Sequence, residues 1–149
     1  MIDMIDITSV FASNIVGLLL MSVLLLSKGW RIQSKNSESG IILIMIFAVI
    51  AGCILEPIAF YLDGQAGIIN RIGVYTSNTL LFFLNTIIGP GYITLIERHI
   101  NEYQSKAERA FIFAIISAEM LLLAVNLFYP VVFGVDERNA YYRCNFFWL

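Results

Sequence analysis

Long apolar runs alternate with short polar links along this chain. Four runs reach the length of about 20 residues that a helix needs to cross a hydrocarbon core of about 30 Å; they cover about residues 7–27, 40–62, 73–96 and 110–129. Backbone groups cannot stay unpaired in lipid, so we expect these runs to be helices. The pattern predicts an all-α fold, a polytopic transmembrane helix bundle with four complete spans, in which residues 1–149 form a single membrane domain.

The composition agrees with lipid as the solvent. Hydrophobic residues make up 59% of the chain and charged residues 13%, against about 45–50% and 25% in soluble domains, and the mean hydropathy is +0.81. The net charge of −2 includes no dense basic cluster, so nucleic acid is not an expected partner. Cys53 and Cys144 lack the spacing of a metal site, and the sequence carries no catalytic or cofactor-binding motif. We therefore expect no enzyme activity, no cofactor and no metal in this chain.

The distribution of basic residues predicts the orientation of the bundle. Cytoplasmic links carry an excess of Lys and Arg. The links after the first and third runs hold six such residues and the opposite side holds three: Lys28, Arg31, Lys35, Arg98, Lys106 and Arg109 against Arg71, Arg138 and Arg143. We expect a multi-pass protein of the membrane with its N-terminus outside.

The last polar segment, FYPVVFGVDERNAYYR at positions 128–143, then lies outside as a loop of about residues 130–145. Pro130 cannot continue the fourth helix, and the turn-forming DERN between two aromatic-rich flanks predicts a short β-hairpin. This hairpin is either an interfacial cap with aromatic side chains at headgroup depth or part of a ligand-sensing surface. Residues 146–149 are interpreted as the start of a fifth span, which would make the chain a fragment, or as a terminal aromatic anchor.

Two polar residues near the middle of the predicted bilayer need partners. An ionised carboxylate such as Glu119 costs about 2.5–3.5 kcal/mol at the centre of a membrane helix, so we expect Glu119 to face the bundle interior. Asn85 lies at a similar depth in the third run, within reach of a hydrogen bond to Glu119. The pair is a polar clasp between helices, a proton-linked or ligand-binding site, or incidental variation. Asn14 and Asn78 also fall inside apolar runs.

Prolines interrupt the second and third runs. Pro57 follows Glu56 and is expected to bend the helix, because it removes one helical hydrogen bond. Glu56 then faces either a small binding pocket or the outer interface. Pro57 is a candidate hinge. Gly89, Pro90 and Gly91 form another in the third run, for which the alternative is a static kink.

Four stretches in order carry a family resemblance: SNIVGLLLMSVLLLSKGWRIQ, CILEPIAFYLDG, SNTLLFFLNTIIGPGYITLIERHI and NLFYPVVFGVDERNAYYR. This layout resembles the N-terminal multi-span sensor regions of bacterial GGDEF proteins, the diguanylate cyclases. The resemblance implies an input region in the bacterial cytoplasmic membrane. A cytoplasmic output domain in cis would make cyclic di-GMP from two GTP. The GGDEF signature itself is not in this sequence, so no catalytic residue is carried over.

Three functional hypotheses remain open at the level of sequence. The first is a sensory input domain that can form a homodimer and responds to an unspecified ligand through Glu56, Asn85 and Glu119. The second is a small four-helix transporter or channel subunit that uses Glu119. The third is a structural membrane partner without a ligand.

Overall fold

A computed structural model of the protein describes residues 4–27, 36–100 and 105–144. The described chain contains four helices followed by a two-stranded sheet: α1 Met4–Leu26, α2 Asn36–Leu62, α3 Ile68–Ile100, α4 Lys106–Asn126, β1 Phe133–Val135 and β2 Tyr141–Arg143. The prediction of a helical bundle with a terminal hairpin is confirmed at this level.

Three of the helices are long and apolar enough to cross a membrane. They are Ile7–Leu26, Glu38–Leu62 and Ile68–Glu97, with mean hydropathies of 2.2, 2.7 and 1.6. At most 11% of the residues in each apolar window are buried inside the protein, so most apolar side chains keep some exposed surface, as expected where lipid is the solvent. Within the described residues α4 is not among these candidates, so the fourth span remains a prediction. The predicted fifth span starts at Phe146, outside the described residues.

The ends of α4 differ from the predicted 110–129. The helix begins earlier because Ser105 and Glu108 form a capping box, in which the Ser105 backbone N–H donates to Glu108 Oε2 at 2.7 Å and the Glu108 N–H donates to Ser105 Oγ at 3.2 Å. Reciprocal bonds of this kind fix a helix start. The helix ends at Asn126, before Pro130, because the Asn126 side chain binds the backbone that follows.

Helix α2 lies at the centre of the bundle, packed against α1 and α3, while α4 packs on α3. Contact between α2 and α3 is close at Gly91, where an added Cβ would lie 3.1 Å from Met45 Cγ. The glycine at position 91 is therefore accounted for by helix contact. Both α2 and α3 continue as single helices through Pro57 and Pro90.

The predicted hairpin is confirmed. Strands β1 and β2 pair antiparallel, with Gly134 opposite Tyr142. Asp136 closes the turn, since its Oδ1 accepts from the backbone N–H groups of Arg138 and Ala140, both at 2.8 Å. The hairpin is docked on α3 through Phe133, which is fully buried, so it is an integral part of the packed bundle.

Candidate functional site

The hairpin is fastened to the loop between α2 and α3. Asn139 is buried and has φ 61°, and its amide donates to the carbonyls of Gln65 at 2.7 Å and Gly67 at 3.0 Å. Asp63 Oδ1 accepts from the Tyr141 backbone N–H at 2.6 Å. These bonds make the loop and the hairpin one unit at one end of the bundle.

A second fastening comes from the end of α4. Asn126 is 1% exposed, and its Oδ1 accepts from three consecutive backbone N–H groups, those of Val131 at 2.8 Å, Val132 at 2.7 Å and Phe133 at 3.2 Å. The Tyr75 hydroxyl donates to the Asn126 backbone carbonyl and accepts from Asn126 Nδ2 at 3.2 Å. A single side chain thus turns the chain from α4 into β1 and connects both to α3.

Aromatic rings complete the docking. The ring centroid of Phe133 lies 5.2 Å from that of Tyr75, 5.5 Å from that of Phe82 and 5.6 Å from that of Tyr141. These spacings are in the favourable range for aromatic pairs. Phe82 and Tyr141 also border the cavity described next, so the docking of the hairpin shapes that cavity.

An open cavity of about 680 Å³ lies between α1, α2, α3 and β2. We call it the hairpin cavity. Its volume is in the range of about 300–1,000 Å³ that is usual for small-molecule sites. Polar residues of all four elements line it, together with Asp63, which directly follows α2. The polar lining residues are Asn14, Glu56, Asp63, Asn78, Asn85, Tyr141 and Arg143.

Glu56 lies on the wall of the hairpin cavity. Asn14 Nδ2 donates to Glu56 Oε2 at 3.0 Å and also to the Val10 carbonyl at 2.8 Å. Asn14 is 6% exposed while Glu56 is accessible. The buried amide therefore orients an accessible carboxylate.

A smaller cavity of about 330 Å³ lies between α3, α4 and the segment after α4. Asn85 and Glu119 both line it, together with Thr86. Within the described residues no hydrogen bond joins Asn85 to Glu119, and both side chains are exposed. The expected hydrogen bond is therefore absent from the described residues, and Glu119 is exposed where the sequence predicted that it would face the bundle interior. The two residues share only a cavity wall.

Asn85 and Phe82 line both cavities. The two polar sites predicted separately, at Glu56 and at Glu119, therefore border one stretch of α3. The candidate hinge begins four residues after Asn85. Gly89 has open space around it, and the Pro90 carbonyl accepts from Thr94 Oγ1 at 2.8 Å. Bending at this position remains a prediction.

Sequence reasoning missed the residues that hold the hairpin, namely Asp63, Tyr75, Asn126, Phe133 and Asn139. Two of them carried a usable signal. Asn126 stands four residues before Pro130, and Asn139 is the last residue of the predicted turn, where Asn tolerates positive φ. Phe133 and Tyr75 carried none, because aromatic residues are common both in interfacial loops and near the ends of membrane helices.

Among the described residues no group of three or more His, Cys, Asp or Glu side chains could hold a metal ion. No protein-family model, no curated protein and no solved structure matches this chain.

Proposed function

We propose that this chain is a membrane-embedded sensory input domain of a bacterial signalling protein, with a diguanylate cyclase as its output. The observation that carries the proposal is the hairpin cavity, in which three helices and the hairpin all contribute polar side chains. A ligand that contacts all four elements alters their relative packing, because it binds one arrangement more tightly than another. The sequence resemblance to GGDEF sensor regions supports the choice of output.

The proposed signal passes along α3. Asn85 lies on the cavity wall, and Gly89, Pro90 and Gly91 follow it within two turns. Below them the helix continues to Ile100. In the proposed orientation, with the N-terminus outside, the hairpin cavity opens to the external side and the Ile100 end of α3 lies in the cytoplasm.

Filling the cavity tests the proposal. Gly52 lines the cavity, and an added Cβ there meets no atom within 4 Å, so Gly52→Leu occupies ligand space without a clash at Cβ. Gly40 is equally open but lies near the other end of α2, away from the cavity. The protein in its natural full-length form would be assayed in membranes for cyclic di-GMP made from GTP.

We expect Gly52→Leu to change the rate of cyclic di-GMP synthesis and Gly40→Leu to leave it at the wild-type level. Absence of any cyclic di-GMP synthesis by the wild-type protein would eliminate the output assignment. Equal rates in all three proteins would eliminate the hairpin cavity as the sensing site.

The second candidate function, a small transporter or channel subunit, is favoured by one observation. Asn85 and Glu119 line one cavity between α3 and α4. If a proton-linked cycle used this acid, Glu119→Gln would abolish uptake of a cationic dye into proteoliposomes under a pH gradient. Full uptake by the variant would exclude this reading.

A further inference from the structure

The charges on the wall of the hairpin cavity favour a cation. Its charged lining residues are Glu56, Asp63 and Arg143, which together carry one net negative charge. Low-dielectric surroundings strengthen the interaction between a carboxylate and an opposite charge. A ligand with a positive group is therefore attracted more strongly than its neutral or anionic counterpart.

The carboxylate of Glu56 is oriented to bind the positive group of such a ligand. Its Oε2 accepts from buried Asn14, which fixes the orientation of the carboxylate. In the described part of the chain no other hydrogen bond reaches Glu56, and the side chain is accessible. One carboxylate oxygen is thus held by the protein while the other remains available to a donor from a ligand.

Aromatic side chains border the same space. Phe60, Phe82 and Tyr141 line the hairpin cavity and come from α2, α3 and β2. Aromatic faces attract organic cations, and this attraction strengthens where water is displaced. The size of the cavity suits a small organic molecule, and the amides of Asn78 and Asn85 supply hydrogen bonds to the remainder of such a molecule.

We propose that the hairpin cavity binds a small molecule or headgroup that carries an alkylammonium group, with Glu56 as its counter-ion. This inference rests on the proposed function, since it names the ligand class of the same cavity. The ammonium has two sources in a bacterial envelope: a free amine, or the headgroup of a phosphatidylethanolamine lipid.

The test uses the 149-residue protein in dodecyl maltoside, a detergent without an ammonium group. Isothermal titration would measure binding of n-butylammonium chloride, with n-pentanol as the neutral probe and sodium chloride as the ionic control. The thermal unfolding midpoint Tm would be followed in parallel. We expect saturable binding of n-butylammonium and a Tm rise of about 5–10 °C at 100 times Kd, with neither effect from the two controls.

Glu56→Gln is the informative variant, because its amide oxygen still accepts from Asn14 while the charge is lost. We expect at least about tenfold weaker n-butylammonium binding, equivalent to about 1.4 kcal/mol. Glu137→Gln removes an acid from the exposed hairpin turn and should bind as the wild type does. Unchanged affinity in Glu56→Gln, or equal binding of n-pentanol, overturns the proposal. If Glu56→Gln fails to fold, Gly52→Leu against Gly40→Leu takes its place, and binding retained by Gly52→Leu has the same meaning.

Nanodiscs of two lipid compositions distinguish a free amine from a lipid headgroup as the source of the ammonium group. In phosphatidylglycerol alone, n-butylammonium should bind as in detergent. Loss of this binding when phosphatidylethanolamine is included identifies the lipid headgroup as the occupant, and unchanged binding identifies a free amine. Failure of this inference is distinguishable from failure of the proposed function. If no amine binds but Gly52→Leu changes the rate of cyclic di-GMP synthesis, only the ligand class is rejected. Amine binding without cyclic di-GMP synthesis rejects only the output.

Discussion

Asn126 shows how much a single side chain contributes to this fold. Asn126 is 1% exposed, and its Oδ1 accepts from three backbone N–H groups in the segment that follows α4. These N–H groups lie in the segment from the end of α4 to the first residue of β1, where no helical carbonyl accepts from them, and a buried backbone N–H without an acceptor is costly. The side chain therefore decides where α4 ends and in which direction the chain continues.

Replacing Asn126 by Ala should be costly. The substitution leaves the N–H groups of Val131 to Phe133 without their acceptor, and we expect the free energy of unfolding to fall by about 2–3 kcal/mol. Denaturant titration in detergent measures the loss, and hydrogen exchange should accelerate first at those three amides. Asn70→Ala is the matched control, because Asn70 makes one exposed bond to the Ala66 carbonyl. A loss as small in Asn126→Ala as in the control would contradict this account.

At the scale of elements, the sequence predicted what depends on local patterns. The apolar runs predicted α1 to α3, since their length is fixed by the bilayer, and Pro130 with DERN predicted the hairpin. The ends were less predictable. Helix α3 starts at Ile68, directly after the loop glycine Gly67, and not at the predicted residue 73. Residues 68–72 thus belong to the helix and not to the link before it.

Docking of the hairpin could not be predicted, because it depends on residues far apart along the chain. Phe133 meets Tyr75, and Arg71 Nη2 donates to the Val135 carbonyl at 3.2 Å. Contacts within the candidate site could not be predicted for the same reason. The sequence singled out Glu56 but not its hydrogen bond with Asn14, which lies 42 residues earlier, because a polar residue in an apolar run does not reveal which helix it faces.

Phe133→Ala should release the hairpin from α3. The ring is fully buried between three other rings, and truncating a buried Phe costs about 3–5 kcal/mol. We expect the freed hairpin to be cut by trypsin at Arg138 at least about tenfold faster, as followed by mass spectrometry. Tyr142→Ala removes a ring that is 44% exposed on the same hairpin and should cleave at nearly the wild-type rate. Equal cleavage of both variants would show that Phe133 does not hold the hairpin in place.

At the scale of the whole molecule, the structure joins the α2–α3 loop and the hairpin at one end. Arg71, Arg138 and Arg143 all belong to this end, while Lys106 and Arg109 begin α4 at its far end. A helix of 21 residues is about 31 Å long at 1.5 Å per residue, close to the thickness of a hydrocarbon core. The proposed topology therefore requires that α4 crosses the membrane and that its two ends face different compartments.

Single cysteines placed at the start of α4 and in the hairpin turn that follows its other end test this topology. In a Cys53→Ala, Cys144→Ser background, Glu137→Cys and Lys106→Cys each put one thiol at an exposed position. We expect a membrane-impermeant maleimide to label position 137 in intact cells and position 106 only after permeabilisation, because the side with fewer basic residues faces outward. The reverse pattern would invert the bundle and place the hairpin cavity on the cytoplasmic side, so that its ligand would be an internal one. Equal labelling of both positions would show that α4 lies on one side of the membrane, and Glu119 would then need no partner inside the bilayer.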